Sequence, residues 1–152
     1  MRLVYSDMPI PSLQGVHSVF LVGPSPRSPI VDSWRPEAIQ ALQDLKYDGV
    51  VLVPEWSDWR NQVDYLSQVA WERAGLEKCS VIAAWVPREL EHMPAFTTNV
   101  EFGRYVTSGK LFYGRPELAP NNEYLDWLYE TDTGRKPLDN LTELMKTVIS
   151  HV

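Results

Sequence analysis

Short apolar runs alternate with longer amphipathic stretches along this chain, which is the pattern of βαβ units and a parallel sheet. "HSVFLVGP" reads as a buried strand that stops at Gly23-Pro24. "DSWRPEAIQALQDLKYDG" predicts a helix, with Asp32 or Ser33 as N-cap, Pro36 in its first turn and Gly49 past its end. "GVVLVPE" is the next strand. From Trp59 to about Lys78 the apolar positions Val63, Leu66, Val69, Ala70 and Leu76 fall on one helical face, and "SVIAAWVP" is then a third buried strand. Pro87 to Phe96 is a loop. Thr98-Asn99-Val100-Glu101 spells the Thr-x-x-Glu capping box of a short helix ending near Gly109. "KLFYG" is a further strand, and two amphipathic tail segments, "NNEYLDWLYE" and "PLDNLTELMKTVISHV", close the domain. "MRLVYS" fits a strand at the sheet edge, since Pro9 and Pro11 end it quickly. The expected fold is α/β, a flavodoxin-like or Rossmann-like open parallel sheet of about five strands with helices on both faces. Residues 1–152 form one domain in this reading, with 1–16 as an N-terminal extension and 122–152 as C-terminal helices.

Composition narrows the partners. A net charge of -6 argues against a nucleic-acid polymer or an anionic membrane surface, both of which need concentrated Lys and Arg. No apolar run approaches a membrane span, and the N-terminal stretch lacks the cationic lead and apolar core of a leader. The one cysteine, Cys79, allows no internal disulfide, which fits a reducing cytoplasm. His17, His92 and His151 are scattered without the spacing that puts two imidazoles on one helical face, so no metal and no cofactor are expected. There is no Gly-x-Ser-x-Gly elbow, and nothing places Cys79 beside a histidine.

In an open parallel sheet the ligand crevice lies beyond the carboxyl ends of the strands, so the loops after the strands are where chemistry belongs. "GPSPRSP" offers Gly23, Pro24, Ser25 and Arg27. It is suited to a phosphate or carboxylate, or it is a Pro-stiffened connection with a solvated Arg27. Glu72 sits at the margin of its helix's apolar face and could look across the strand ends toward Glu101. Two carboxylates facing one small cavity would not both ionise easily, and the one with the raised pKa could donate a proton. The field of the helix start favours an ionised Glu101 by about 0.3–1 kcal/mol. Gly103, two residues on, suits close approach to the backbone. The expectation is that Thr98 caps the helix while Glu101 points into the crevice. Trp71 falls opposite the apolar stripe of its helix, which suggests a subunit contact or a stacking surface.

"VFLVGPSPR", "SWRPEAIQAL", "YDGVVLVPE" and the stretch from "QVAWERAG" through "WVPRELEHMPAFTTNVEFG" to "NNEYL" follow the order and wording of the nucleoside 2-deoxyribosyltransferase-like family, from about Val19 to Leu125. The resemblance implies that Glu101, in Glu-x-Gly with Gly103, attacks the anomeric carbon of a nucleoside, and that Glu72 faces the departing base. It implies that Gly23, Pro24, Ser25 and Arg27 hold the sugar or its 5′ group, with Asn99 and Gly103 as further substrate-binding residues. The substrate is then a small nucleoside or nucleoside 5′-monophosphate. Transfer to a second base makes the protein a 2-deoxyribosyltransferase, and hydrolysis makes it an N-glycosidase. A homodimer or higher homo-oligomer is implied too, with Trp71 and the tail helices as interface candidates. Two positions depart from the family pattern: Cys79-Ser80 replaces an Ala-Asp pair, and Ala95 stands where an Asp precedes the nucleophile by six residues. Those losses motivate an alternative, a nucleotide-binding or interaction protein that keeps the pocket without turnover.

Overall fold

The computed structural model describes residues 1–58 and 60–152. Five parallel strands, β1 (Arg2–Tyr5), β2 (Ser18–Val22), β3 (Val50–Val53), β4 (Val81–Trp85) and β5 (Leu111–Gly114), form one sheet in the order β1-β3-β2-β4-β5. Five α-helices pack on it: α1 (Arg35–Asp44), α2 (Tyr65–Lys78), α3 (Phe96–Tyr105), α4 (Glu123–Thr133) and α5 (Leu141–Ile149). The open α/β sheet with helices on both faces is therefore as expected.

Successive strand side chains point to opposite faces. Val19, Leu21, Val51, Val53, Val81, Ala83 and Phe112 meet Ala38 and Leu42 of α1 and Leu144, Met145 and Val148 of α5. Phe20, Val22, Leu52, Ile82, Ala84, Leu111 and Tyr113 meet Leu76 of α2, Phe102 of α3, and Leu125 and Tyr129 of α4. Burial on both faces explains why the strands read as continuous apolar runs without alternation. Each fully buried Leu or Phe contributes about 1.5–3 kcal/mol.

β1 pairs with β3 through four register positions, so the N-terminal extension supplies an edge of the sheet. At the other edge Leu138 pairs with Gly114, its N–H donating to the Tyr113 carbonyl at 3.1 Å while its own carbonyl accepts from Arg115 N–H at 2.8 Å. Gly114 is required there, because a Cβ would lie 2.6 Å from that carbonyl. No helix among the described residues is long and apolar enough to cross a membrane.

Several local expectations are corrected. The N-cap of α1 is Trp34, neither Asp32 nor Ser33, although Ser33 Oγ accepts from the Arg35 N–H at 3.2 Å. That helix is over by Leu45, so Gly49 lies past its end as expected, while the left-handed turn after the helix is made by Lys46, at φ 57°. α2 starts at Tyr65, with Asp64 as N-cap accepting from Ser67 N–H at 3.1 Å, since the Asp64 side chain satisfies an orphan amide there. Trp59, where that helix was expected to begin, lies outside the described residues. The face of α2 is also rotated from the expected one: Leu66, Val69 and Ala70 are exposed, and of the expected apolar positions on this helix Leu76 is the one that is buried. Trp71 consequently turns inward, its ring 5.8 Å from Phe20 and its Nε1–H donating to the Met8 carbonyl at 2.8 Å.

Candidate active site

Beyond the carboxyl ends of β2 and β4, the strand order reverses: β3 lies to one side of β2 and β4 to the other, which opens a crevice at that switch point. A cavity of about 290 Å³ occupies it. Gly23, Pro24, Ser25, Arg27 and Arg35 come from the loop after β2 and the start of α1, Gln68 and Glu72 from α2, and Ala95, Phe96 and Glu101 from the start of α3. Gly23 has no alternative at this place. A Cβ there would lie 2.2 Å from the Trp85 carbonyl and 2.6 Å from the Trp34 ring, so only glycine lets the loop cross between β4 and α1.

Glu101 and Glu72 share this cavity, each keeping part of its surface open to it while protein surrounds the rest. Burial first, and the like charge of Glu72 second, push the Glu101 carboxyl up to about 8, with Arg35 pulling it back. Glu72 is also raised by burial, against the hydrogen bond from Gln68 Nε2 at 2.7 Å and the charge of Arg35. The field of the helix start does not govern Glu101, because α3 begins at Phe96 and Glu101 lies in its second turn. The expected capping box is likewise absent. Ala95, in the left-handed region at φ 63°, is the N-cap without a side-chain bond, and Thr98 is buried inside the first turn. Glu101, freed from capping, faces the cavity as expected.

The residue that sequence reasoning missed is Arg35, 1% exposed. Its Nη1–H groups donate to Glu55 Oε1 at 2.6 Å and Ser25 Oγ at 3.0 Å, its Nη2–H to the Gly23 carbonyl at 2.6 Å, and its Nε–H to the Leu21 carbonyl at 3.3 Å. One guanidinium thus shapes the loop after β2 and sets a positive charge beneath both cavity carboxylates. A sequence signal existed: an arginine in the first turn of a helix opposes the macrodipole and so asks for another reason to be there. Gln68 was also missed. Its Nε2 bonds Glu72, and its Oε1 is buried without a hydrogen-bond partner among the described residues.

Of the residues expected at the site, Gly23, Pro24, Ser25, Arg27, Glu72 and Glu101 line the cavity, and Asn99 and Gly103 do not. Asn99 Oδ1 instead accepts from Arg88 Nη2 at 2.7 Å, and Gly103 has open space around its Cα. The Arg27 guanidinium lies over the Phe96 ring, 5.1 Å from its centroid, at the rim. The two departures from the family pattern separate in space. Ser80 sits just before β4, at the amino ends of the strands, where its Oγ lies 3.2 Å from Ser18 Oγ, so no acid is missing from the cavity on its account. Ala95 does line the cavity.

No curated protein matches the chain. A family profile described as nucleoside 2-deoxyribosyltransferase like matches residues 16–117, from just before β2 to just after β5, and so spans every element that lines the crevice. The chain belongs to the nucleoside 2-deoxyribosyltransferase-like family.

Proposed function

We propose that this protein cleaves the N-glycosidic bond of a (deoxy)nucleoside or nucleoside 5′-monophosphate through a glycosyl ester on Glu101. The observation that carries this reading is the pair of carboxylates, Glu101 and Glu72, facing one cavity above a buried arginine. Glu101 as carboxylate attacks C1′ while the bond to the base breaks through an oxocarbenium-like transition state, and the bond electrons leave with the base. Glu72, or a water it holds, delivers a proton to that base. A second base or a water then takes the sugar from Glu101, and the outcome is transfer or hydrolysis respectively. Arg27, over the Phe96 ring at the rim, and Ser25 suit a 5′ phosphate, which favours hydrolysis of a nucleoside 5′-monophosphate. At position 95 a methyl group stands where the family pattern has a carboxylate, which supports a sugar contact different from the usual one.

Turnover needs one proton on the pair; burial and the charge of Glu72 favour that proton on Glu101 in the free protein, so it must pass to Glu72 or its water before Glu101 attacks, and the expected kcat/KM profile is bell-shaped. At low pH both groups are protonated and no nucleophile exists; as pH rises through about 8, Glu101 and Glu72 are both ionised and no acid remains. The test is a panel of nucleosides and nucleotides assayed for released base across this range. Glu72→Gln is expected to remove the alkaline fall, because the acid whose ionisation causes it is already absent, and to lower the rate about 10²–10⁴-fold. Ligand binding without base release from any substrate would favour the non-catalytic nucleotide-binding alternative.

A second copy of the chain is proposed to cover the rim. Tyr65 (77% exposed), Leu66 (75%), Phe96 (65%) and Val100 (72%) surround or adjoin the cavity mouth on α2 and α3, and Tyr124 and Trp127 project from tail helix α4. These replace Trp71 as interface candidates. Analytical ultracentrifugation at micromolar concentration is expected to give a dimer or larger species that Leu66→Asp dissociates; a monomeric wild type would count against the assembly.

A further inference from the structure

Arg88, three residues past β4, is 7% exposed, and all its hydrogen-bond partners are neutral oxygens. Nη1–H donates to the Pro94 carbonyl at 2.6 Å, Nη2–H to Asn99 Oδ1 at 2.7 Å, and Nε–H and Nη2–H both to Asn122 Oδ1 at 3.3 Å. Asn122 is buried as well, its Nδ2–H donating to the Val86 carbonyl at 3.3 Å. Among the described residues no carboxylate lies within ion-pair distance of Arg88; the field of Tyr113 and Glu123 is what favours its charge. Burying an arginine without a counter-ion is costly, and surface packing alone does not call for it.

Its bonds bracket one place in the chain. Pro94 precedes the left-handed Ala95, and Asn99 follows it, its N–H closing the first helical bond to the Ala95 carbonyl at 3.1 Å. α3 has no side-chain cap, so its start is held from outside by this guanidinium. Glu101 comes two residues after Asn99 on the same helix. We infer that Arg88, through Asn99, is a positioning residue that fixes the rotational setting of α3 and so aims Glu101 across the cavity at C1′. This rests on the reading of Glu101 as nucleophile. It also gives Asn99 a different role from the substrate contact expected of it.

Asn99 is exposed and outside the cavity, so Asn99→Ala of the full chain is expected to fold and to cut only the link to α3. Two readouts are needed. With the substrate identified from the panel, kcat should fall about tenfold or more with KM nearly unchanged, the pattern of a misplaced reacting group. In ligand-free protein, the ¹³C-carboxyl titration of Glu101, assigned by its absence in Glu101→Gln, should move, because Glu101 would no longer face Glu72 of α2 and Arg35 of α1 in the same way. Arg88→Lys keeps a charge but cannot hold Pro94 and Asn99 together, so it should reproduce both effects, and adding Asn99→Ala to it should do little more. A raised KM with kcat and titration unchanged would make Asn99 a substrate contact and overturn the inference, as would Asn99→Ala behaving like wild type. A moved titration in a protein that cleaves no nucleoside would keep the positioning role and remove the proposed reaction.

Discussion

Glu101→Gln is expected to abolish base release, by about 10⁴-fold or more, the scale on which loss of an activated nucleophile is felt. Glutamine keeps the shape of the side chain and its place in the cavity, so substrate binding should survive. Release undiminished in this variant would remove Glu101 from the mechanism. The same substitution should change stability with a defined sign. The folded carboxyl is raised to about 8 from 4.5, so the folded state binds the extra proton between those values. The stability this contributes is fully present below pH 4.5 and is lost as pH rises through 8. Each pKa unit corresponds to about 1.4 kcal/mol. Glu101→Gln, which carries no charge to bury, should therefore melt higher than wild type at pH 9 and close to it at pH 4. Equal melting temperatures at both pH values would mean that the site does not strain its own nucleophile.

Arg35→Met should have the largest effect on folding. Methionine fills the volume of the arginine stem but leaves the Glu55 carboxylate, among the described residues, with only the Ser33 hydroxyl at 2.7 Å, and frees the Gly23 and Leu21 carbonyls. Breaking such a network from one side costs about 3–5 kcal/mol, which urea unfolding would register as a lower midpoint. The loop after β2 would lose its shape at the same time. A second consequence separates electrostatics from packing: without the positive charge beneath it, Glu101 should titrate above its wild-type midpoint, and the ionised fraction at neutral pH should fall. An unchanged urea midpoint with an unchanged Glu101 titration would show that Arg35 contributes to neither.

The fold was largely legible in the sequence because both faces of the sheet are covered. Full burial makes strands such as Val50–Val53 and Val81–Trp85 uniformly apolar, and that signal survives without knowledge of their neighbours. Helix orientation was harder. Leu66 and Val69 lie outward on α2, and Trp71 lies inward, because the helix is set by contacts of Leu76 and Trp71 with the sheet that hydropathy alone does not register. At the site, loop residues Gly23 to Arg27 and the two glutamates were within reach, since the carboxyl ends of parallel strands are where a crevice forms. Arg35 was not, because an arginine in an amphipathic helix looks solvated until its long side chain is seen turned beneath the loop. The Thr98 capping box failed for a related reason: Arg88, outside the motif in sequence but bound to Pro94 and Asn99, holds a helix start whose cap is Ala95, three residues before Thr98.

The pairing of Leu138 with Gly114 bears on how this protein can grow into larger structures. A free sheet edge is a template for another chain's strand, and on the β5 side the chain's own tail bonds the carboxyl end of that edge, at Tyr113 and Arg115. The edge strands β1 and β5 have four residues each, too short a run for a stable cross-chain sheet. Assembly by β-augmentation is thereby disfavoured, and association is left to helix surfaces, where side chains choose the partner and binding stays reversible.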